Sequence, residues 1–343
     1  MEDIKWIPYQ DCYLKSYQDF VKNNFGRDAY QSKKKYIDWL YSENPLMINK
    51  KNSDFLVGIN KKKEVIACIH KMRLLWNCQE SIVEIPAIHN LMVDKKYRMG
   101  IGFMLVINSI IGEEHAFIPG VVQPFSEFYR KLKYQKVNTS WYRYWVKPIQ
   151  GPFFFVLNRF LKYSPSKFYF NIKDYELNDY KVTMNPDDKV LQQLVSCLNS
   201  ENKNTIRPYW TIELIKWRFF NKIGPRHVLI YKIFQDTIKN FIILSLGPRK
   251  GINIGRILLL KIDTVENLKI LLDFVKTIIK NNGGHLLQLF FYDSEINIML
   301  KKLGWKNLAN PPDTYFYHKN RDIKFKYMSF FGAVGDFGFE GLQ

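Results

Sequence analysis

Apolar and polar positions along the chain follow helical and extended periodicities, and the same order of elements comes twice. In the first half, Leu14, Tyr17 and Val21 recur at helical spacing and predict a helix over 11–24. Ser32 as an N-cap and Asn44-Pro45 as a stop predict a second helix over 32–41. The runs 54–59 and 64–75, joined by the polar turn Asn60 to Lys63, predict a hairpin. A strand over 82–93, a glycine-bearing turn, an apolar helix over 103–111, a buried strand over 117–122 and a helix over 126–132 follow. The aromatic-rich segment 137–147 predicts a further strand. Pro148, Gly151-Pro152 and Pro165 punctuate a linker over 148–170, with a short helix at 153–162 in its middle. The second half then predicts helices over 187–199 and 211–221, a hairpin from 226–234 and 239–246, a strand over 256–262, a helix over 266–280, a strand over 285–292 and a helix over 295–303.

Two local matches turn this shared order into a repeat. Ile37 to Tyr41 parallels Ile215 to Phe219, with Trp39 and Trp217 separated by 217 − 39 = 178 residues. Phe128 to Tyr134 parallels Met299 to Trp305, with Leu132 and Leu303 separated by 303 − 132 = 171. The second copy is therefore seven residues shorter between these landmarks, and the pattern places the deletion on the glycine turn. The first half runs from Val93 through residues 94–102 into its helix, whereas the second runs from Ile262 through Asp263, Thr264 and Val265 directly into a helix. The expected organisation is one domain over 1–147, a linker over 148–170 and a second domain over 171–343.

Composition fits a packed chain of 343 residues: 47% hydrophobic and 16% aromatic. No apolar run approaches the roughly 20 residues of a membrane span, and the opening Met1 to Lys5 predicts no secretory signal. The four cysteines, Cys12, Cys68, Cys78 and Cys197, form no C-x-x-C pair. They predict reduced thiols in the cytoplasm, with neither disulfides nor a metal site. Lys plus Arg number 51 against 32 acidic residues, a net charge of +19. The lysines sit in small groups interrupted by apolar residues, which fits solvated faces and anionic small molecules and predicts no nucleic-acid partner.

The chemistry concentrates on strand, Arg98-Met99-Gly100-Ile101-Gly102, then helix. Glycines let backbone approach a phosphate closely, and the N–H groups opening a helix point at it. The stretch LMVDKKYRMGIGFML over 91–105, with EFYRKLKY over 127–134, resembles the GNAT superfamily of acyltransferases, in its pyrophosphate-binding strand, loop and helix and its later tyrosine-bearing helix. The family loop runs Arg/Gln-x-x-Gly-x-Gly/Ala; aligning Gly100 and Gly102 puts Tyr97 at its first position and Arg98 one residue closer. The resemblance implies an α/β (α+β) fold of two tandem GNAT-like domains, each a mixed, mostly antiparallel sheet flanked by helices. It implies acyl-CoA, either acetyl-CoA or a short hydroxyacyl-CoA, held by Leu91, Met92, Val93, Arg98, Met99, Gly100, Ile101, Gly102 and Phe103, with no metal. A backbone N–H near Leu91 to Val93 is expected to hold the thioester carbonyl, and Tyr129 to protonate the departing thiolate. For the base, His89 on the key strand competes with Glu84 and with a water chain.

The second half has Leu300 in the place of Tyr129 and lacks the loop, so it is expected to bind no CoA and to build the acceptor site. Its Arg207-Pro-Tyr209-Trp210 and Ile215 to Phe220 segments, and Gly335-Asp336-Phe337, are similar to those of bacterial nucleotide-linked amino-sugar N-acyltransferases of surface polysaccharide assembly. Arg207, Tyr209, Trp217 and Arg218 supply cations and aromatic faces suited to a dTDP- or UDP-linked amino sugar. The alternatives are a peptidoglycan peptide-bridge aminoacyl transferase and a non-catalytic ligand-binding protein of the same fold.

Overall fold

A computed structural model of the chain describes residues 4–26, 29–47, 54–78, 81–98, 100–161, 170–177, 179–200, 205–249, 251–318, 328–335 and 337–339. Contacts divide the chain into two compact units. The first comprises Met1–Leu75, Val83–Val137 and Pro312–Ile323; the second comprises Trp76–Ile82, Asn138–Pro311 and Lys324–Gln343.

The elements open with β1 (Lys5–Pro8), α1 (Leu14–Phe25), α2 (Lys34–Ile37), β2 (Phe55–Ile59), β3 (Val65–Cys78) and β4 (Ser81–Val93). They continue with α3 (Ile101–Ile110), β5 (His115–Val121), α4 (Gln123–Lys131), β6 (Gln135–Val137), β7 (Ser140–Trp145) and α5 (Gln150–Leu161). Next come β8 (Tyr175–Leu177), β9 (Tyr180–Thr183), α6 (Asp188–Asn199), β10 (Arg207–Tyr209), α7 (Ile212–Phe220), β11 (His227–Phe234) and β12 (Thr237–Arg249). The chain ends with β13 (Ile252–Lys261), α8 (Val265–Asn281), β14 (Leu286–Tyr292), α9 (Ser294–Lys302), β15 (Asp313–His318) and β16 (Phe330–Phe331).

The first unit is built on a sheet ordered β1-β2-β3-β4-β5-β15-β6, with β10 paired to β3, whose last residues group with the second unit. Its alternating strands bury both faces. Val57, Val65, Cys68 and Met92 pack with Tyr17, Phe20 and Val21 of α1, while Ala67, Ile69 and Ile88 pack with Leu105 and Val106 of α3 and Tyr129 of α4. The second unit is built on a sheet ordered β16-β14-β13-β12-β11-β9-β8, with β7 paired to β14. Here α8 buries Leu268, Leu271, Leu272, Val275, Ile278 and Ile279, each worth about 2 kcal/mol by area. Gly255 of β13 admits α8 closely, since a Cβ there would run into the Ile279 side chain. Both sheets are mixed: β4–β5 and β13–β14 run parallel, and β2–β3, β11–β12 and β12–β13 antiparallel.

Several expectations change. The strand expected over 137–147 is β7 over its middle, paired with β14 in the second unit with Arg143 opposite Gln288, while its first residue, Val137, belongs to β6, which pairs with β15 in the first unit. In return β15, late in the chain, lies between β5 and β6. The helix expected over 32–41 forms as α2 continued by a wider, π-type helical segment over Asp38–Ser42, but Ser32 is not its cap: its hydroxyl donates back to Ala29 O at 2.8 Å. The repeat's missing residues also lie elsewhere. The starts of β2 and β11 are already only 227 − 55 = 172 residues apart, so most of the deficit precedes the first hairpin. The glycine turn is indeed absent from the second half, but α8, at 17 residues against 10 for α3, makes up the length.

Candidate functional site

The strand–turn–helix at the end of β4 is built from local constraints. Asp94 accepts a hydrogen bond from Lys96 N and starts a short 3-10 turn over Lys95–Tyr97. Arg98 Nε then donates to Val93 O at 3.4 Å, folding the turn back on its strand. Gly100 enters α3 with φ +82°, in the left-handed region that a side chain resists, and a Cβ there would meet open space. Gly102 serves a different need: its Cβ would lie 3.0 Å from Phe125 and 3.6 Å from Val93, so only glycine lets helix, strand and α4 close up. No side chain caps α3, and its ladder begins with Phe103 N and Met104 N donating to Gly100 O. Ile101 N and Gly102 N therefore precede the first intrahelical bond, at the positive end of the helix dipole. Lys95, Lys96 and Arg98 are exposed around this end, and Phe103 lays its ring on Phe125 and Phe128. Met99 lies outside the described residues.

The second unit closes the equivalent place with its own side chains. Thr264 caps α8 by accepting from Asn267 N, Asn267 Nδ2 donates to Asp263 Oδ1, and Asn240 Oδ1 accepts from Asp263 N. A capped N-terminus with a carboxylate beside it is a poor place for a phosphate. Leu300, in the position of Tyr129, is fully buried.

Upstream of the turn, β4 and β5 run parallel with Ala87 opposite Phe117, and among the described residues no further register pair follows toward Val93. The strand is bent there by Asn90, whose φ of +51° no spacing pattern announces. Its side chain is held three ways: Nδ2 donates to Tyr36 OH at 2.9 Å and to His89 Nδ1 at 3.0 Å, and Oδ1 accepts from Gln31 Nε2 at 3.2 Å. In this orientation His89 Nδ1 is an acceptor, so a neutral ring carries its proton on Nε2. The His89 ring is buried and stacks on His70 at 5.9 Å. His70 is pinned between Tyr17 OH and Tyr41 OH, each at 2.9 Å, and burial, then the neighbouring His89, pushes its imidazole well below the usual histidine range. The signal for this network was no more than histidine and tyrosine at alternating strand and helix positions, indistinguishable in sequence from core packing.

Tyr129 is buried against Tyr134 and Tyr315, each ring at 5.5 Å. Burial, then Tyr134, raises its hydroxyl above the ordinary phenol value, so it stays protonated at neutral pH. Glu84 is not near the turn: it binds Arg73 at 3.0 Å, in an ion cluster with Asp54, Lys71 and Glu113. It stands six residues from Asn90, roughly 20 Å along an extended strand.

The four residues expected to read an acceptor are placed as follows. Arg218 is wholly buried and donates to the carbonyls of Ala333, Gly335 and Phe337 at 2.8–3.1 Å. Arg207 is buried and donates to Asn199 O at 2.9 Å, Trp217 is buried, and Tyr209 is half-buried. Three of the four thus serve the second unit's own packing, and Asp336 lies outside the described residues.

No protein-family model matches the chain, and no curated protein does. Solved structures do. The N-myristoyltransferase of Saccharomyces cerevisiae with bound myristoyl-CoA superposes with a TM-score of 0.65 at 12% identity, over 92% of this chain and 83% of that one. A GCN5-related N-acetyltransferase from Kribbella flavida superposes with a TM-score of 0.53 at 12% identity, over 92% and 71%. The likeness is one of fold: this chain has a two-domain GNAT-like architecture, two mixed sheets each flanked by helices.

Proposed function

We propose that the chain is an acyl-CoA-dependent N-acyltransferase that takes acyl-CoA on its first unit only. The observation that carries this is the contrast between the helices after β4 and β13: α3 starts at a left-handed glycine without a side-chain cap, whereas α8 is closed by Thr264 and Asp263. The residues fit the cosubstrate. Gly100 offers backbone with space beside it, Ile101 N and Gly102 N face a diphosphate with the helix dipole, and Lys95, Lys96 and Arg98 add cations. Beyond Ala87, the edge of β4 at Leu91, Met92 and Val93 suits pairing with an extended amide chain such as pantetheine. Acyl-CoA supplies an activated thioester, so the chain must orient an amine, take a proton from it and return one to sulfur.

Tyr129 OH, kept protonated by burial, is the proposed donor to the thiolate. His89 is the proposed acceptor of the amine proton. Asn90 occupies its Nδ1 in the present orientation, so accepting requires that hydrogen bond to turn over. The acceptor is a primary amine. A nucleotide-linked amino sugar is the first class to test, because a chain of net charge +19 favours an anionic acceptor. Arg207, Trp217 and Arg218 lend that class no direct support, being occupied in the second unit's core, and Tyr209 is the one of the four left for it.

Calorimetric titration with acetyl-CoA and hydroxybutyryl-CoA should give one site per chain. Gly100→Val, which forces a branched residue to φ +82° at a cost of about 1–2 kcal/mol, should remove that site. Thr264→Ala should cost about 1 kcal/mol of capping and leave CoA affinity intact. Two sites per chain, or one that survives Gly100→Val, would sink the assignment. Binding without thiol release across a panel of free and nucleotide-linked amino sugars, aminoacyl-tRNA and peptides would make the fold a ligand-binding one.

A further inference from the structure

Helix α5 carries apolar residues on both sides, and only one side is used. Its inner stripe is Gly151, Phe154 and Asn158. A Cβ on Gly151 would lie 2.5 Å from the Trp145 ring, Phe154 packs with Ile252, Ile254 and Leu286, and Asn158 rests on Gly251 at the β12–β13 turn. On a surface helix the opposite stripe is ordinarily polar. Here it is Ile149, Phe153, Val156 and Phe160, spaced 4, 3 and 4 residues apart, with Phe153 N donating to Ile149 O to bring the first into register. Their exposures are 84, 61, 52 and 75%, far beyond the scattered apolar residues normal on a protein surface.

The chain segment that carries this stripe has charge of one sign. In sequence, residues 143–167 contain Arg143, Lys147, Arg159, Lys162 and Lys167 and no Asp or Glu; among the described residues Arg143 is exposed, Lys147 half-buried, and Arg249 exposed at the end of β12. On the sheet face that α5 covers, Arg143 of β7, Gln288 of β14 and Arg256 of β13 stand directly opposite one another; Gln288 and Arg256 are buried, and Arg143 is the exposed end of the row. Burial, then Arg256 and Arg249, lowers the Arg143 guanidinium pKa, as expected where positive charge accumulates.

We infer that α5 and the basic residues Arg143, Lys147 and Arg249 dock the protein on the surface of an anionic phospholipid bilayer, the outer stripe entering the interface and these cations meeting headgroup phosphates. An aromatic and aliphatic stripe bordered by basic residues is the chemistry of a helix lying in the membrane plane. At 12 residues α5 is too short to cross, and no helix of the described residues is long and apolar enough to do so. The one-signed charge favours this occupant over a second copy of the chain, whose equal patch would repel it. The inference does not rest on the acyltransferase reading.

The test is co-sedimentation of the full chain with vesicles of phosphatidylcholine alone and of phosphatidylcholine mixed with phosphatidylglycerol. The wild type should sediment with the mixed vesicles, less with the neutral ones, and less as salt is raised. Phe153→Asp with Phe160→Asp should lower the bound fraction about tenfold or more at unchanged Tm, because both rings already stand in water. Arg143→Glu should erase much of the preference for phosphatidylglycerol. Wild-type protein that ignores mixed vesicles at low salt overturns the inference, as does binding that survives the double aspartate variant. A solution mass that falls from dimer to monomer on Phe153→Asp, without vesicle binding, assigns the stripe to self-association instead.

Discussion

Replacing Arg218 by alanine separates two roles that the sequence cannot tell apart. If the side chain read an acceptor, Arg218→Ala would raise the acceptor KM and leave the fold alone. Instead its guanidinium is fully buried, reaches three carbonyls of the segment 333–337 at 3.0, 3.1 and 2.8 Å, and lies 5.3 Å from the Phe219 ring and 5.1 Å from that of Phe339. Alanine strands those acceptors and leaves a void. At about 1–3 kcal/mol per stranded group, offset by no longer desolvating a cation, the net loss is about 3–5 kcal/mol. In a unit of this size that lowers Tm by roughly 10 °C. Urea unfolding should show a lower midpoint, and hydrogen exchange of the 328–339 peptide should accelerate. Arg218→Lys should fall between, since a point charge cannot satisfy three carbonyls as a planar fork does. An unchanged midpoint and unchanged exchange, with acceptor KM raised, would refute the structural role and return Arg218 to the acceptor site.

Tyr129→Phe should keep the KM for acyl-CoA while lowering kcat by roughly 10²-fold; an unchanged kcat returns the residue to the core. His89→Gln should lower kcat and remove an acid limb from the pH–rate profile, and a profile that keeps its limb excludes His89 as the base. His227 is buried beside Arg218, and burial, then that charge, lowers its pKa to about 3. The unfolded chain then binds the extra proton below the ordinary histidine value of about 6.5, so stability falls as pH drops from there toward 3 and is fully present above. His227→Gln should flatten that slope of the urea midpoint by about one proton; an equal slope in the variant would remove His227 as its source.

Helices such as α1, α6 and α8, the two hairpins and the single glycine turn were legible because each is encoded within about twenty residues: spacing fixes the buried face, and only glycine suits φ +82° before α3. The same local reading showed that the second half lacks that turn. Pairing partners are another matter. The aromatic run 137–147 carries the pattern of one strand, yet Val137 pairs with Thr314 and Arg143 with Gln288, because the sheet a strand joins is set by which edge is available more than a hundred residues away. Arg207 and Arg218 read as cations for a ligand, and Asn90 as an ordinary strand residue. Only the packed chain shows that backbone carbonyls surround the arginines and that Tyr36, His89 and Gln31 hold the asparagine at positive φ. A side chain's type states what it can bond to; whether that partner is ligand, water or the protein's own backbone depends on what the fold brings within about 3 Å of it.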